Sequence, residues 1–356
     1  MYDVAVVGAG VFGAWTAFHL ARAGKRVLIV DQHGPGNTRS SSGGETRIIR
    51  MSYGADEIYT RSSIRSLKLW KQFFPSMFVK TGVLVVAPRP DAYLRAAREV
   101  LERANYRFEW LESRALRTRL PEIAFDRDAA AIYEPQGGVL MARQAVRAVV
   151  EAAVAQGARY QARRIEAPDS KLARMFVFAC GPWLPKLFPD VIGRRIRPTR
   201  QEVLFFGTPP GELRMPCWIA FREGVYTIPP IDGRGFKLAI DQHGPPFDPE
   251  TGNRNVSAAS IAKARSILGE RFPALAGAPL LETRVCQYEN TANGDFLIDR
   301  HPNFENAWLV GGGSGHGFKH GPFVGEYVAS QIAGTRPLEP RFALATKSTT
   351  HHRSVF

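Results

Sequence analysis

Residues 4–13 read VAVVGAGVFG and decide the fold class of this chain. The first four residues form an apolar strand pattern, and Gly8, Gly10 and Gly13 then open a helix. The three glycines allow a tight turn, a close approach of backbone to a pyrophosphate, and close packing of helix on strand. The stretch therefore predicts the start of a β-α-β dinucleotide-binding unit.

The residues that follow complete this unit. Gly24 is expected to end the helix, and the next strand, Val27 to Val30, runs directly into Asp31. An acidic residue at this spacing typically reaches a ribose hydroxyl. Glycines at strand ends often serve turns only, but here strand, turn, helix, strand and acid occur in order. The unit indicates a dinucleotide without saying which one.

A second glycine-rich run, GGGSGHGFKHG at residues 311–321, lies near the other end of the chain. It joins an apolar strand, Trp308 to Val310, to an amphipathic helix, Pro322 to Ile332. Such a turn presents free backbone N–H groups and the positive end of the helix dipole. We therefore expect an anionic group there, and expect the two glycine runs to hold different parts of one large cofactor.

The composition is typical of a soluble globular protein with two domains, or with one domain and a bulky insertion. No uninterrupted apolar run in the 356 residues reaches the length of a membrane span. The early first strand leaves no room for a signal peptide, and three cysteines (Cys180, Cys217 and Cys286) do not suggest a disulfide framework. We expect a cytoplasmic protein, and no metal site is predicted.

The formal net charge of +14 raises the question of nucleic-acid binding. The arginines are scattered through helices, as at Arg95, Arg98 and Arg103, and no RNA- or DNA-binding motif accompanies them. A basic solvated surface is the simpler interpretation, and part of its charge is expected to steer an anionic ligand into a cleft. Nucleic acid is therefore not an expected partner, although an RNA-associated role stays open.

The order of the predicted elements indicates interleaved domains. A helix from Asp56 to Phe74 belongs to the first dinucleotide segment, whereas the strand Val83 to Ala87 and a helix opened by Asp91 form an excursion. The helix Met141 to Gln156, ended by Gly157, resumes the dinucleotide pattern.

Alternating strands then predict an antiparallel sheet in the second domain. A turn that contains Asp232 and Gly233 joins two of them, and a helix is expected from Ser257 to Leu268, ended by Gly269. The expected strands are Glu202–Phe206, Val225–Ile228 and Phe236–Ile240.

The chain is therefore predicted to be α/β, with a Rossmann-like dinucleotide-binding domain interleaved with an α+β substrate domain that contains an antiparallel sheet. The predicted ranges are 1–80, 134–195 and 287–345 for the first domain, 81–133 and 196–286 for the second, and 346–356 for a C-terminal tail.

Five features occur in a fixed order along the chain. They are the glycine turn at 8–13, the loop GGETRIIR at 43–50, the strand around Lys237, the tripeptide Cys286-Gln287-Tyr288, and GGSGHGFKHG at 312–321. In this order they resemble the monomeric sarcosine oxidase and N-methyl amino acid oxidase family, within the D-amino-acid oxidase superfamily of FAD enzymes. The resemblance covers nearly the whole chain and makes NAD an unexpected cofactor.

The resemblance implies an activity. The expected enzyme is a monomer that binds FAD and oxidises the C–N bond of an N-methyl, cyclic or otherwise N-substituted amino acid to an imine. Oxygen is then reduced to hydrogen peroxide.

The resemblance also implies a covalent flavin. Cys286 matches the cysteine joined to the flavin 8α-methyl group through a thioether, whereas a buried inert thiol fits Cys180 and Cys217 better. The residues implied to contact FAD are Gly8, Gly10, Val11, Phe12, Gly13, Asp31, Gln32, Ser41, Ser42, Thr46, Arg47, Gly181, Cys286, Gly313, Gly315, His316, Gly317, Phe318 and Lys319.

Two cationic residues are implied to bind the substrate carboxylate. These are Arg50 and Lys319, whose guanidinium and ammonium groups would form a charge-assisted anchor. Arg47 is implied to lie against the flavin ring, and Tyr226 and Tyr288 to line the substrate pocket. A solvated surface pair is the alternative for the two arginines.

Lys237 lies within an apolar strand, where a lysine is costly unless it has a task or faces water. The resemblance places it near flavin N5, where a fixed positive charge assists electron transfer to oxygen. Period-two alternation offers the alternative that it lies on the wet face of a sheet. His316 and the backbone of residues 315–318 are implied to stabilise the negative N1 and C2 carbonyl region of reduced flavin.

Three departures from the family leave the substrate open. Gly43 and Asp241 stand where sarcosine oxidases have histidines, and the segment 162–174 is shortened. Asp241 is expected either to attract a second positive group on a larger amino acid or to face solvent. Other functions that stay open are a flavin amino-acid dehydrogenase that passes electrons to a carrier, a fructosyl-amino-acid oxidase, and an RNA-associated flavoprotein.

Overall fold

The computed structural model describes residues 1–209 and 213–351, and residues 352–356 of the predicted tail lie outside this part. Three sheets are formed in the described part of the chain. The helices are α1 (Val11–Arg22), α2 (Glu57–Phe73), α3 (Ala92–Arg103), α4 (Ser113–Arg119), α5 (Ala142–Ala155), α6 (Leu184–Leu187), α7 (Ala258–Arg271) and α8 (Gly321–Ile332). The strands are β1 (Tyr2–Val7), β2 (Val27–Val30), β3 (Thr46–Ile49), β4 (Phe78–Val79), β5 (Val83–Pro88), β6 (Glu109–Glu112), β7 (Ala129–Glu134), β8 (Gly138–Met141), β9 (Arg159–Gln161), β10 (Ala173–Phe178), β11 (Ile196–Phe206), β12 (Cys217–Ala220), β13 (Val225–Ile228), β14 (Phe236–Ile240), β15 (Leu280–Thr291), β16 (Leu297–His301) and β17 (Phe304–Gly311).

A six-stranded sheet carries both glycine runs. Its order is β16-β17-β10-β1-β2-β9, and all neighbours are parallel except the antiparallel edge strand β16. Alternate residues of β1 enter different hydrophobic cores on the two faces of the sheet. Because parallel strands end at one edge, the glycines that follow β1 and β17 meet there. The predicted Rossmann-like α/β architecture is confirmed.

Two glycines set how closely α1 lies against the end of β1. Gly8 has φ of +103°, and a Cβ on it would lie 2.3 Å from the carbonyl oxygen of Ala179. A Cβ on Gly13 would lie 1.9 Å from the carbonyl oxygen of Gly8. Neither contact is possible for a residue with a side chain, so the turn depends on glycine at both positions.

A mixed eight-stranded sheet forms the second layer, with the order β15-β11-β14-β13-β12-β5-β7-β6. The predicted antiparallel pairing of β11, β14 and β13 is confirmed, and positive φ angles at Asp232 (53°) and Gly233 (69°) shape the predicted turn. Strand β15 pairs with β11 and places Cys286 opposite Gln201. The long β11-β15 ribbon thereby brings the Cys-Gln-Tyr tripeptide toward the first sheet.

The predicted end of one helix is wrong. Helix α7 begins after Ser257, whose side chain accepts a hydrogen bond from the N–H of Ser260, but it continues through Gly269 to Arg271. Leu268 and Phe272 are buried in the core beneath the second sheet, and Pro273 follows. This packing outweighs the cost of about 1 kcal/mol for glycine inside a helix.

A small three-stranded sheet, β3-β8-β4, positions the arginine loop. Antiparallel pairing of β3 with β8 places Arg47 opposite Leu140. This fixes the backbone of residues 46–49 between the two larger sheets.

The C-terminal segment packs back onto the protein. Lys347 is buried, and its Nζ donates hydrogen bonds to the carbonyl oxygen of Arg341 (2.5 Å) and to Thr346 Oγ1 (3.1 Å). Arg341 forms ion pairs with Asp295 and Asp56. The division of the chain into domains stays a prediction.

Throughout residues 1–209 and 213–351, the helices lack the combination of length and apolar character needed to cross a membrane.

Candidate functional site

A cavity of about 1220 Å³, including its open mouth, runs along the carboxyl edge of the six-stranded sheet. Both glycine runs line it. The predicted cofactor residues on its wall are Gly8, Gly10, Val11, Phe12, Asp31, Gln32, Ser41, Ser42, Arg47, Gly181, Gly313, Gly315, Gly317 and Phe318.

Five predicted cofactor residues lie outside this wall. Gly13 packs beneath the carbonyl oxygen of Gly8. The other four adjoin wall residues: Thr46 and Cys286 contact Arg47, while His316 and Lys319 flank Gly317 and Phe318 in sequence. The structure therefore brings them next to one end of the cavity.

Several wall residues are absent from the sequence prediction. Arg163 and Arg164 line the cavity from the shortened segment, where two adjacent arginines were a usable signal for an anionic ligand. Glu289 lines it from β15 and directly follows Tyr288, so its place beside the Cys-Gln-Tyr tripeptide could have marked it. Trp183 gave no such signal, because a lone tryptophan is ordinarily a core residue.

The nucleotide end of the cavity is organised by Asp31. One carboxylate oxygen accepts a hydrogen bond from the N–H of Ala9 at 2.8 Å, and the other accepts from His33 and Gly34 at 2.8 and 2.9 Å. The side chain thus ties the first glycine turn to the loop after β2. Helix α1 begins here with Gly10 as N-cap and no side-chain cap, and such a helix N-terminus favours an anion.

Arg47 organises the opposite end. Its guanidinium donates to the carbonyl oxygens of Thr46 (2.8 Å) and Ser41 (2.7 Å), and its Nη2 lies 3.4 Å from the sulfur of Cys286. Its Cζ lies 6.0 Å from the ring centroid of Phe318. The backbone bonds hold the positive charge in a fixed position beside the sulfur.

Lys237 lies behind this end of the cavity and is only 2% exposed, so the alternative of a wet sheet face is wrong. Its Nζ donates to the carbonyl oxygen of Thr46 at 3.0 Å and lies 5.4 Å from the ring centroid of Tyr226. Burial, together with the positive charge of Arg47, lowers the pKa of Lys237 to about 7. The ammonium group is therefore partly neutral at physiological pH.

Arg50 and Lys319 are buried cations that contact the same aromatic ring. Their charged groups lie 4.5 and 5.3 Å from the ring centroid of Tyr53. Arg50 donates to the carbonyl oxygen of Ser52 and to the hydroxyl of Tyr93, and Lys319 donates to the Tyr53 hydroxyl at 2.8 Å. Burial and the charge of Arg50 hold the pKa of Lys319 well below its usual value.

No direct counter-ion balances this pair among the described residues. The nearby carboxylate of Glu134 instead accepts hydrogen bonds from the N–H groups of Met51 and Ser52 and from the Ser52 hydroxyl. Two buried positive groups without a paired carboxylate are costly, unless an anionic ligand joins them. The alternative of a solvated arginine is wrong for Arg50, which is 4% exposed.

A hydrogen-bonded chain continues behind Lys319. Because Lys319 donates to the Tyr53 hydroxyl, that hydroxyl can donate to Nε2 of His320 at 2.8 Å. Nδ1 of His320 then lies 2.8 Å from the Ser62 hydroxyl. His316 belongs to the same cluster: its Nε2 donates to the carbonyl oxygen of Gly294 at 2.9 Å, and its Nδ1 lies 3.4 Å from the Tyr53 hydroxyl.

Tyr288 joins the cofactor cavity to a buried acid. Its ring lines the cavity, and its hydroxyl donates to Oδ1 of Asp241 at 2.5 Å. Asp241 is 9% exposed, so the alternative that it faces solvent is wrong. Burial raises the pKa of Asp241 to about 6, against the opposing effects of Tyr288, Arg50 and Lys319. Asp241 thus lies within the electrostatic reach of the cationic pair.

The cavity as a whole fits FAD. Glycine turns line the part that a pyrophosphate needs, and Phe318, Arg47 and Tyr288 form an aromatic and cationic wall suited to a flat ring system. Among the described residues, Ser41 Oγ and Glu289 Oε2 are buried without a hydrogen-bond partner, and both residues line the cavity. Unpartnered polar atoms of this kind are expected where a polar ligand binds.

Comparisons with known proteins agree with this geometry. Monomeric sarcosine oxidase of Bacillus sp. (strain B-0618) is 34% identical over 366 aligned positions, covering 95% of this chain and 93% of the relative. N-methyl-L-tryptophan oxidase of Salmonella heidelberg (strain SL476) is 27% identical over 361 positions, covering 94% and 96%. The solved L-proline dehydrogenase of P. horikoshii has the same fold, with a TM-score of 0.84 at 20% identity over 96% of each chain. The model of the DAO family, described as FAD dependent oxidoreductase, matches residues 3–331, and the chain therefore belongs to this family of FAD-dependent oxidoreductases.

Proposed function

We propose that this enzyme oxidises the C–N bond of an amino acid with an N-methyl, cyclic or other N-substituent to an imine, and that oxygen is reduced to hydrogen peroxide. The observation that carries the proposal is the buried pair Arg50 and Lys319, held against Tyr53 beside the end of the cavity that Phe318 and Tyr288 line. The names of the sarcosine and N-methyl-L-tryptophan oxidase relatives support the same substrate class.

The cationic pair supplies the carboxylate anchor. A substrate carboxylate placed between Arg50 and Lys319 forms charge-assisted hydrogen bonds in a site shielded from water. It also forms the direct ion pairs that neither Glu134 nor Asp241 makes with Arg50 and Lys319 among the described residues. The anchor fixes one end of a small amino acid, so its C–N bond is held in one orientation.

Asp241 supplies the opposite charge in the same site. Its carboxylate is expected to attract the substrate nitrogen while the carboxylate of the substrate faces Arg50 and Lys319. The hydrogen bond from Tyr288 fixes Oδ1 of Asp241, and the second oxygen stays available as an acceptor. The two ends of a zwitterion are therefore distinguished by charge.

FAD bound in the cavity supplies the redox chemistry, by accepting a hydride equivalent from the substrate and passing electrons to oxygen. The glycine turns and Asp31 hold its nucleotide part, and Arg47, Phe318 and Tyr288 hold its ring. We propose that Cys286 forms the thioether to the ring, because Arg47 holds its sulfur at this end of the cavity. The sulfur would replace one hydrogen of the 8α-methyl group, and the two electrons released would reduce the flavin, which oxygen would then reoxidise.

Lys237 is proposed to assist the reaction with oxygen. Its ammonium is buried and fixed by the carbonyl oxygen of Thr46, next to Arg47. A preorganised positive charge stabilises developing negative charge without the cost of reorientation. The lowered pKa makes this assistance dependent on pH near neutrality.

We propose a cytoplasmic monomer. Support for the compartment comes from the free state of Cys180, Cys217 and Cys286, since disulfides are rare in reducing compartments. Size-exclusion chromatography with light scattering measures the oligomeric state directly, and a stable dimer would contradict the monomer.

The test of the function combines a substrate panel with a test of the flavin link. Purified protein is assayed for peroxide with N-methyl, cyclic, fructosyl and D-amino acids, and each amino acid is paired with its amide as a control for the carboxylate anchor. Flavin bleaching without peroxide would indicate a dehydrogenase instead, and no bleaching by any amino acid would contradict the proposal.

The acid-precipitated wild-type protein and Cys217→Ala should stay yellow, whereas Cys286→Ala should release its colour.

A further inference from the structure

Glu289 is a buried acid that no step of the proposed reaction uses. It follows Tyr288 on β15, lines the cofactor cavity and is 8% exposed. Its Oε1 accepts a long hydrogen bond of 3.3 Å from the N–H of Gly313, and its Oε2 has no partner among the described residues. The side chain therefore presents an unpaired oxygen in the interior of the protein.

The carboxyl group lies between two glycine turns. A Cβ on Gly181, after β10, would lie 3.3 Å from Glu289 Oε2, and one on Gly313, after β17, would lie 3.1 Å from Oε1. Both glycines line the cavity, which extends from Gly8 and Asp31 at one end to Arg47 and Phe318 at the other. The acid therefore lies on the cavity wall beside the turns that follow β10 and β17. Glycine-rich turns at the ends of parallel strands are where the phosphate chain of a dinucleotide typically binds.

No positive group compensates a charge on Glu289. It takes part in none of the ion pairs formed by residues 1–209 and 213–351, and its β11 neighbour across the ribbon is Pro198, which carries no charge. The titratable groups that face it are the Cys180 thiol after β10 and, beyond that thiol, Asp31 at the end of β2. Burial raises the pKa of Glu289 to about 7, against the opposing effect of the hydrogen bond from the N–H of Gly313.

We propose that Glu289 is a cofactor-binding acid whose neutral carboxyl group donates a hydrogen bond from Oε2 to an oxygen of the ribityl-pyrophosphate chain of FAD. The N–H of Gly313 already donates to Oε1, so the proton of the neutral carboxyl group lies on Oε2 and can be donated to the ligand. A carboxylate at this place would repel a phosphate and would leave Oε2 unpaired. The proposal rests on FAD as the cofactor but on neither the substrate nor turnover.

This role makes FAD binding depend on pH. The neutral form predominates below the pKa of Glu289, and a bound oxygen acceptor raises that pKa further. Affinity is therefore full on the acidic side and declines as pH rises through about 7. The slope cannot exceed tenfold per pH unit, because one proton is involved.

The test uses the full-length chain with Cys286→Ala, so that binding is reversible. The flavin-free protein is titrated with FAD, followed by flavin fluorescence, at pH values from about 6 to 9. We expect the affinity for FAD to fall about tenfold from pH ~6.5 to ~8.5. This is about the free energy lost when the hydrogen bond from Glu289 to FAD is broken and its buried oxygen stays unpaired. Adding Glu289→Gln should remove this decline, since an amide donates at every pH.

Matched controls separate Glu289 from other groups. Glu282→Gln alters an acid on the same strand that pairs with Arg234 and Arg284 away from the cavity, and it should keep the decline. Lys237 titrates in the same pH range but is present in every variant. Any effect it has on FAD affinity is therefore the same in all of them and cancels when the variants are compared. An equal decline in Glu289→Gln, or no decline in the Cys286→Ala protein, would overturn the proposal.

Two further measurements keep the proposal testable if Glu289→Gln folds poorly. The FAD complex at pH ~6 should show an infrared band of a protonated carboxyl group that shifts when FAD is removed, and the absence of this shift would overturn the proposal.

The second measurement titrates the protein with ADP, which carries the pyrophosphate, and with riboflavin, which carries the ribityl chain. The compound whose affinity declines with pH contains the oxygen that accepts from Glu289. If FAD, ADP and riboflavin all bind independently of pH, the proposal is wrong, whatever the result of the peroxide assay.

Discussion

Nη2 of Arg47 lies 3.4 Å from the sulfur of Cys286, although the two residues are far apart in sequence. The contact joins the small sheet, which carries Arg47, to the long ribbon, which carries Cys286. Because two backbone carbonyls also hold the guanidinium, the sulfur faces a cation that cannot turn away. This relationship makes Arg47 the residue on which formation of the flavin link is expected to depend.

Arg47→Lys should reduce the fraction of acid-stable flavin at least about tenfold. Lysine keeps the charge, but a single ammonium cannot reproduce the planar fork that reaches two carbonyl oxygens and the sulfur. The measurement is absorbance of the acid-precipitated pellet after incubation with FAD. Arg284→Lys, which alters an arginine on β15 of the ribbon itself, should stay yellow; a yellow Arg47→Lys pellet would contradict this prediction.

Lys319→Met should raise KM for amino-acid substrates about 100-fold, because a charge-assisted hydrogen bond contributes about 1.5–3 kcal/mol. The melting temperature should change little, since removing a buried ammonium offsets the hydrogen bonds lost by the Tyr53 hydroxyl and the carbonyl oxygen of His316. Steady-state kinetics and thermal unfolding check the two parts. Substrate amides, which lack the carboxylate charge, should show little change, and an equal loss for acid and amide would argue against the anchor.

Lys237→Met should slow reoxidation of the reduced enzyme much more than its reduction. In the wild type, the charged fraction of Lys237 falls as pH rises through its pKa of about 7, so reoxidation should slow about tenfold between pH ~6 and ~8. Stopped-flow kinetics with oxygen measure this. The variant should show no such dependence, whereas exposed Lys263→Met should behave as the wild type. Equal slowing of both half-reactions would exclude a specific role in the oxygen step.

Asp241→Asn should remove the acidic limb of the pH profile of kcat/KM. Below its pKa of about 6, Asp241 gains a proton and loses the charge that attracts the substrate nitrogen, so wild-type kcat/KM should decline there. In the variant, kcat/KM should be lower but flat across this range. Exposed Asp190→Asn provides the control, and an unchanged acidic limb in Asp241→Asn would show that another group titrates.

Gly13→Ala should destabilise the protein by about 3 kcal/mol, because overpacking at a contact of 1.9 Å with a carbonyl oxygen forces the helix away from the strand. Gly277→Ala adds the same methyl group where no atom lies within 4 Å and should change stability by less than about 0.5 kcal/mol. Urea unfolding followed by circular dichroism compares the two variants. Similar midpoints would disprove the packing argument.

Local patterns predicted three of the six strands of the first sheet, β1, β2 and β17. The strand Val27 to Val30 has the predicted bounds, and Asp91 caps α3 by accepting a hydrogen bond from Leu94, because these elements are specified by neighbours in sequence. Gly269 failed as a helix end, since the burial of Phe272 depends on a core assembled from distant strands. Tertiary packing thus decided the boundary against local propensity.

The site residues also fall into two groups, those that local sequence predicts and those that depend on tertiary packing. Gly8 and Gly10 could be identified from spacing, because backbone geometry at a phosphate turn demands glycine. The burial of Lys237 and Asp241 could not, since alternation along a strand gives two faces without saying which is covered. The position of Glu289 next to the Cys-Gln-Tyr tripeptide could have marked it as a cavity residue, but a sequence does not show that its Oε2 is left without a partner.

Successive residues in the turn between β17 and α8 make different contacts. Residues 317–320 form a 3₁₀ turn in which Gly317 and Phe318 line the cavity, Lys319 reaches Tyr53, and His320 continues the hydrogen-bonded chain. With three residues per turn, neighbouring side chains point about 120° apart. Inserting or deleting one residue here would change all of these directions together, so the segment should keep its length across relatives.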